Sequence, residues 1–318
     1  ISDDLTATSL ACYGNTVCKT PHIDTLASQG VMFTRAYCQF PVCGASRASI
    51  MSGLYPWKTT WRYVHASVRD SQMTMAQFFR ENGYWTGRVG KIYHMGVPAH
   101  TFTGDHRCDH KADWVERYSF AAMESLTPGK AEDLTGVDST HLYDELRRRW
   151  KNREFEGDGT RFSIPGDQNG NDFVVVEADG GSKYMVDAMG ADKAVELLRE
   201  RARESTPFFL AVGFIRPHLP FVAPKEYFEG YDTSEIALAR MLQGDLDDIP
   251  GEAKVYTNER RWRMDDLKQK KAVRGYYASV SFVDAQVGRL MAELDRLDLR
   301  DDTIVVFTSD HGYHLGEH

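Results

Sequence analysis

The sequence predicts an α/β fold, with a central, mainly parallel sheet and helices on both faces. Two observations carry this. The runs "PFFLAVGF" at 207–214 and "TIVVFTSD" at 303–310 are apolar on successive positions, as strands covered on both faces are. Each follows a stretch of helical periodicity, "ADKAVELLRERARE" at 191–204 and "AVRGYYASVSFVDAQVGRLMAELDRL" at 272–297. Repeated helix-then-strand order belongs to parallel sheets, because parallel neighbours need a crossover between them.

The remaining elements follow in chain order. "ISDD" at the start has the character of a strand end, and "VMFTRAY" at 31–37 is a β-branched and aromatic run that predicts a strand. Ser46 to Met51 predict the first turns of a helix with Ser52-Gly53 as its exit, which leaves Cys43 just outside the helix N-terminus. "SQMTMAQFFREN" at 71–82 predicts a helix. Between 98 and 190 periodicity gives way to His, Gly, Asp and Arg, as in "HTFTGDHRCDHKADW" and "GDGTRFSIPGDQNGNDF", and a stretch that long predicts a functional insertion. One domain over 1–318 with that variable insertion is the economical organisation. The abrupt "ISDDL" and "HLGEH" at the two ends lead to the expectation of a longer parent chain.

Composition narrows the function. A formal charge of −8 and a pI near 5.8 exclude a protein that coats nucleic acid, since neutralising phosphates requires an excess of clustered Lys and Arg. No apolar stretch reaches the roughly 20 residues that span a bilayer. Cys12, Cys18, Cys38, Cys43 and Cys108 are an odd number with no metal-site spacing.

Two acidic pairs stand at strand ends: Asp3 and Asp4 in "ISDD", and Asp310 with His311 in "FTSDHG". Ligands of open parallel sheets sit beyond the strand C-termini, so these pairs are expected to converge there. Adjacent carboxylates repel, and a hard divalent cation such as Ca²⁺ or Mg²⁺ relieves them. Singly, each is also what an ordinary turn carries. Cys43 meets the unpaired N–H groups and partial positive charge of a helix start, which suit an anion and lower a thiol pKa. Arg47 lies one turn further on. A thiolate is nevertheless a poor companion for a cation ligated by oxygen, so the metal argues for an oxygen at position 43.

The stretch "CGASRASIMSGLYP" resembles the type I, formylglycine-dependent sulfatase signature, in which the Cys of a Cys-x-Pro-Ser-Arg core is oxidised to formylglycine. "SDD", "GKIYH" at 90–94, "RPHLPF" at 216–221 and "FTSDHGYHLGEH" at 307–318 occur in that family's order. The wording of "GKIYH", "PFFLAVGFIRPHLPF" and "YYASVSFVDAQVGRL" is similar to the iduronate sulfatase branch. The resemblance implies an alkaline-phosphatase-like three-layer sandwich and hydrolysis of sulfate esters on a carbohydrate, a sulfated uronic acid or related polysaccharide sugar. It implies that Asp3, Asp4, Asp310 and His311 ligate Ca²⁺ together with the formylglycine of Cys43. One hydroxyl of the hydrated aldehyde attacks sulfur and the second expels sulfate. Arg47 would hold the hydrate, Lys91, His94 and His218 would gather around the sulfate, and His218 or His94 would protonate the leaving alcohol. A formylglycine-generating enzyme as partner, a periplasmic or secreted location, and a further lysine and a smaller C-terminal subdomain beyond His318 are implied as well. Ala45 stands where the signature carries Pro, a residue read by the maturing enzyme. Two other functions share these residues: a phosphate or phosphonate monoester hydrolase of the same superfamily, and a catalytically silent homologue that binds sulfated glycans.

Overall fold

The computed structural model describes residues 1–59, 68–97, 101, 109–124, 127–134, 148, 151–152, 173–239, 243–244, 247–250 and 264–316. Its centre is a four-stranded sheet of β1 (Ser2–Asp3), β2 (Trp85–Gly90), β3 (Glu116–Tyr118) and β6 (Phe208–Pro217), in the order β1-β6-β2-β3. Every neighbouring pair is parallel, with Trp85 opposite Phe208 and Gly90 opposite Gly213. All four strands therefore end at the same edge.

Strand β6 shows why helices must cover both faces. Phe208, Leu210 and Val212 pack with Trp85, Val89, Ala194, Leu197 and Leu290, beneath helices α4 (Val186–Arg201) and α5 (Asp266–Arg296). The alternate residues Phe209 and Ala211 pack with Ala45, Ala48, Met51, Ala76 and Ile92, beneath α2 (Cys43–Ser52) and α3 (Met75–Glu81). A strand's side chains alternate between faces, so an uninterrupted apolar run supplies two cores at once. This is the three-layer arrangement expected from the sequence.

A second sheet joins β4 (Gly129–Asp133), β5 (Val174–Ala178) and β7 (Phe221–Pro224); β4 is antiparallel to β5, and β5 parallel to β7. Helix α5 lies close against it at Gly275, where a Cβ would come within 2.9 Å of Val175. The stretch 98–190 thus contributes β3 to the edge of the central sheet and β4 and β5 to this one. The "GDGTRFSIPGDQNGND" part of it, Cys108, Glu317 and His318 lie outside the described residues.

Several boundaries differ from expectation. Helix α2 begins at Cys43 itself, since Val42 is extended (φ −142°) and the Ser46 amide already donates to the Val42 carbonyl at 2.9 Å. Helix α3 starts at Met75, capped by the Thr74 hydroxyl, which accepts from the Gln77 amide. The residues 31–37 are not a strand. Val31 is 80% exposed and Tyr37 82%, and among the described residues no neighbouring strand offers the ladder that β-propensity needs. The segment 303–310 forms no strand and, among the described residues, holds one bridge, Ser309 to Ser2, beside a β1 that is two residues long. Helix α1 (Pro21–Ser28) was signalled by Pro at its first position, a mark the periodicity did not use.

Candidate active site

The common edge of the central sheet carries the chemistry. Asp3 ends β1 and Asp4 follows it, Lys91 follows β2, His218 follows β6, and Asp310 comes one residue after the Ser309 bridge. Helix α2 points its N-terminus at the same place, so its first amides, which have no intrahelical partner, face the site. At Asp4 the backbone is left-handed (φ 61°), and its amide donates to Asp310 Oδ1 at 3.1 Å while its carbonyl accepts from the Tyr276 hydroxyl at 2.7 Å.

Arg47 organises the acids. It is fully buried; Nε donates to Asp310 Oδ2 at 2.8 Å, Nη2 to Asp3 Oδ1 at 2.9 Å, and Nη1 to the carbonyls of Ile92, at 3.0 Å, and Lys91. Its planar fork is the only side chain that satisfies so many fixed acceptors at once. Lys91, also fully buried, places Nζ on Asp3 Oδ2. The Lys91 amide in turn donates to the Gly213 carbonyl at 2.9 Å, and a Cβ on Gly213 would lie 2.0 Å from the Lys91 oxygen, so glycine is what lets this loop close over β6.

The thiol of Cys43, carboxylate oxygens of Asp3 and Asp310 and a ring nitrogen of His311 lie within 4.8 Å of one another, and Asp3, Asp4 and His218 form a second such group. His311 Nδ1 is 2.8 Å from Asp4 Oδ1, while its Nε2 is buried with no hydrogen-bond partner. His218 Nε2 is 3.6 Å from Asp4 Oδ2, and its Nδ1 meets the Leu219 carbonyl at 2.5 Å.

Burial raises the cost of every charge here, and the partners decide the outcome. Asp3 is buried, yet Lys91 and Arg47 hold its carboxyl well below the usual carboxylate range. Burial lifts Asp310 to about 6 against the pull of Arg47, with Asp3 adding repulsion. Burial also works against His311, but the hydrogen bond to Asp4 pushes it up to about 12. Burial lowers His218 more than Asp4 and Asp3 raise it.

The Sulfatase family model matches residues 1–318. The chain belongs to the sulfatase family. This sulfatase is 33% identical over 340 residues to the iduronate 2-sulfatase of Homo sapiens, which covers 100% of this chain and 54% of that protein. It is 32% identical to a sulfatase of Formosa agariphila, over 94% of this chain and 55% of that one. Its fold is similar to that of the phosphonate monoester hydrolase of Agrobacterium radiobacter, with a TM-score of 0.69, 21% identity, and coverage of 100% of this chain and 62% of that one. The sulfatase chain thus spans about half the length of the relatives it matches.

Asp3, Asp4, Cys43, Asp310, His311, Arg47, Lys91 and His218 come together in the sulfatase, through strand ends and one helix start. His94 is partly buried on the loop that carries Lys91 and belongs to neither ligand grouping. The residues present fit a divalent cation: three carboxylates converge, and the buried His311 Nε2 has no hydrogen bond and lies 3.8 Å from Asp310 Oδ2. Sequence reasoning missed Tyr276, which holds the Asp4 backbone, and Ser46, whose hydroxyl donates to the Asp310 carbonyl. Ser46 lay inside a motif already singled out. Tyr276 had no local mark, because its role is set by a helix far away in sequence.

Proposed function

We propose that this sulfatase hydrolyses sulfate esters on a carbohydrate, a sulfated uronic acid or a related polysaccharide sugar. A formylglycine made from Cys43 by a maturing enzyme and one Ca²⁺ would serve the site. The observation that carries this reading is the position of Cys43: a buried thiol at a helix start, set among the hard carboxylates of Asp3 and Asp310 and the imidazole of His311. Soft sulfur suits neither the cation nor these companions, and an oxygen there suits both. Asp3, Asp4, Asp310 and His311 would hold the cation, which as a Lewis acid would draw charge from the sulfate. The hydrated formylglycine would supply one hydroxyl to attack sulfur and another to release sulfate.

The chain's own residues do the rest. Arg47 fixes the orientation of Asp3 and Asp310, so the ligand set is held before any substrate arrives. Lys91, raised by its pairing with Asp3 despite burial, keeps its charge and meets the sulfate oxygens. At His218 the Leu219 carbonyl accepts a hydrogen bond from Nδ1–H, which leaves Nε2 as the nitrogen that, in the protonated ring, gives its proton to the leaving alcohol. His94 is the second candidate for that proton. The domain reading places 98–190 as the substrate-contacting insertion of a catalytic domain. A relative described as an ulvan-active sulfatase supports a sulfated saccharide, as does a structural neighbour described in complex with its substrate D-glucosamine-2-N,6-O-disulfate, and a polysaccharide substrate implies a periplasmic or secreted enzyme. Among the described residues no helix is long and apolar enough to cross a membrane.

The test is the mass of the Cys43 peptide from protein purified from its native host, together with rates on the sulfate and phosphate esters of one alcohol. Conversion to formylglycine and a sulfate preference are expected. A thiol in every molecule, with glycan binding but no turnover, would make this a silent homologue. A phosphate preference would make it a phosphate or phosphonate monoester hydrolase.

A further inference from the structure

His218 sits on a turn that is held from within by the side chain two residues before it. In "RPHLPF" a cation at position 216 has the look of a substrate contact, but Arg216 is only 1% exposed and turns inward. Its Nη1 donates to the His218 carbonyl at 2.7 Å and to the Pro220 carbonyl, and its Nη2 pairs with Glu124 Oε2. The carbonyl between those two, of Leu219, is the one that the His218 ring uses. Three successive carbonyls are therefore assigned, two to Arg216 and one to the imidazole. None of these peptides can rotate without breaking a contact that sets the ring.

Behind Arg216 the frame is closed. Glu124 is 1% exposed, its backbone is left-handed (φ 46°), and its Oε1 accepts from the Val186 amide, at 2.6 Å, at the first residue of α4. A non-glycine residue keeps that conformation only where its surroundings over-determine it. Asp187, next in α4, accepts from the amides of Ile215 and Arg216, both at 2.8 Å, and so fixes the end of β6. Leaving one member of a buried pair alone is costly, so Glu124 and Arg216 hold each other in place.

We propose that Glu124 and Arg216 are a positioning pair for His218, through which the segment before β4 sets the direction of the proton donated to the leaving alcohol. The inference rests on the reading of His218 as that donor. Neither residue touches substrate; both act through the turn. Loss of the pair weakens protonation of the leaving group, and an ester whose alcohol is a good leaving group needs little protonation.

The experiment compares an alkyl sulfate with a nitrophenyl sulfate in the matured full-length enzyme, for wild type, Glu124→Gln, His218→Ala and the double variant. Glu124→Gln is expected to lower kcat on the alkyl ester by about 10- to 100-fold and on the nitrophenyl ester by less than about threefold, with KM unchanged. In the His218→Ala background it should add nothing on the alkyl ester. An equal loss on both esters, or full additivity with His218→Ala, would mean a merely structural role and overturn the proposal. If His218→Ala itself affects both esters alike, the donor has been misassigned and the proposal falls with it; that outcome is distinct from a leaving-group-dependent His218→Ala beside a flat Glu124→Gln. Should Glu124→Gln not fold, Arg216→Lys, which keeps one charge contact and loses the fork onto two carbonyls, is read in the same way.

Discussion

Adding one methyl group to Gly213 tests whether the placement of Lys91 matters. The Cβ of an alanine there would lie 2.0 Å from the Lys91 carbonyl oxygen, 2.3 Å from its carbon and 2.8 Å from its nitrogen. All three atoms are backbone, so no rotamer change relieves the clash. Ordinary contact begins near 3.4 Å, and the loop must retreat by roughly 1.4 Å or the strand must part from it. Lys91 Nζ is held on Asp3 and is fully buried, so the retreat carries the cation out of register with the acids. Overpacking of this kind costs about 1–3 kcal/mol of stability. A misplacement of about 1 Å costs on the order of 10²-fold in rate. The assay is kcat/KM on an aryl sulfate beside the thermal midpoint, with Gly190→Ala as the matched control. There, in α4, the new Cβ would be 3.4 Å from Val89 of β2, and the helix gains about 0.5–1 kcal/mol with activity unchanged. Wild-type kcat/KM in a folded Gly213→Ala protein would refute the argument that Lys91 must sit where β6 puts it.

Three further outcomes follow from the same geometry. Ca²⁺ added to chelator-treated protein should raise the thermal midpoint, by about 2.7 kcal/mol of stability at a hundredfold excess over Kd, and the gain should vanish in Asp310→Asn; no shift in the wild type would remove the cation from this site. Ala45 is fully buried in the first turn of α2, where an amide has no intrahelical partner, so Ala45→Pro should fold with a loss of about 1–3 kcal/mol from crowding. It should also raise the converted fraction of Cys43 on co-expression with a formylglycine-generating enzyme, as read by peptide mass; an unchanged fraction would show that residue 45 does not limit maturation. Asp284 accepts from the His22 and Ile23 amides at the start of α1, and burial outweighs those bonds to push its carboxyl up to about 6. Its folded value lies above its unfolded one, so its contribution is fully present below about pH 4 and is lost as pH rises through 6, by about 3 kcal/mol in all. Asp284→Asn should flatten the urea-derived stability between pH 4 and 6, and an unaltered slope would contradict the assignment.

What was legible in the sequence follows from which signals are local. Strand β6 could be read because burial on both faces leaves an unbroken apolar run, and α4 and α5 because one face of each is apolar at helical spacing. The residues 31–37 and 303–310 carry the same β-branched and aromatic signal as β6, yet Ile304 is 93% exposed and Phe33 71%. Propensity describes how a residue suits a ladder, and the ladder is supplied by neighbours that sequence does not name. The reverse holds for β2, "WTGRVG", with two glycines and an arginine, which is a central strand because β6 and β3 flank it. Arg88 survives there, 2% exposed, through its pairing with Asp109.

The site was legible for a different reason. Asp3, Asp4, Asp310, His311 and Cys43 stand at strand ends and a helix start, positions that topology brings together at the carboxyl edge of a parallel sheet, whereas Lys91, His94 and His218 were marked by the family resemblance. What topology cannot convey is the charge balance. Three buried carboxylates stand against two permanent cations: Asp3 and Asp310 pair with Arg47, and Asp3 also with Lys91, while Asp4 pairs with His311. The third positive charge is that of His311, which the hydrogen bond to Asp4 pushes up to about 12 against its burial, while burial lifts Asp310 only to about 6. A divalent cation bound by His311 would displace that proton. His311 Nε2 is buried with no hydrogen-bond partner, and Cys43 is the soft member of a set that holds two hard carboxylates. Both anomalies would disappear if position 43 carried oxygen and a metal joined the group.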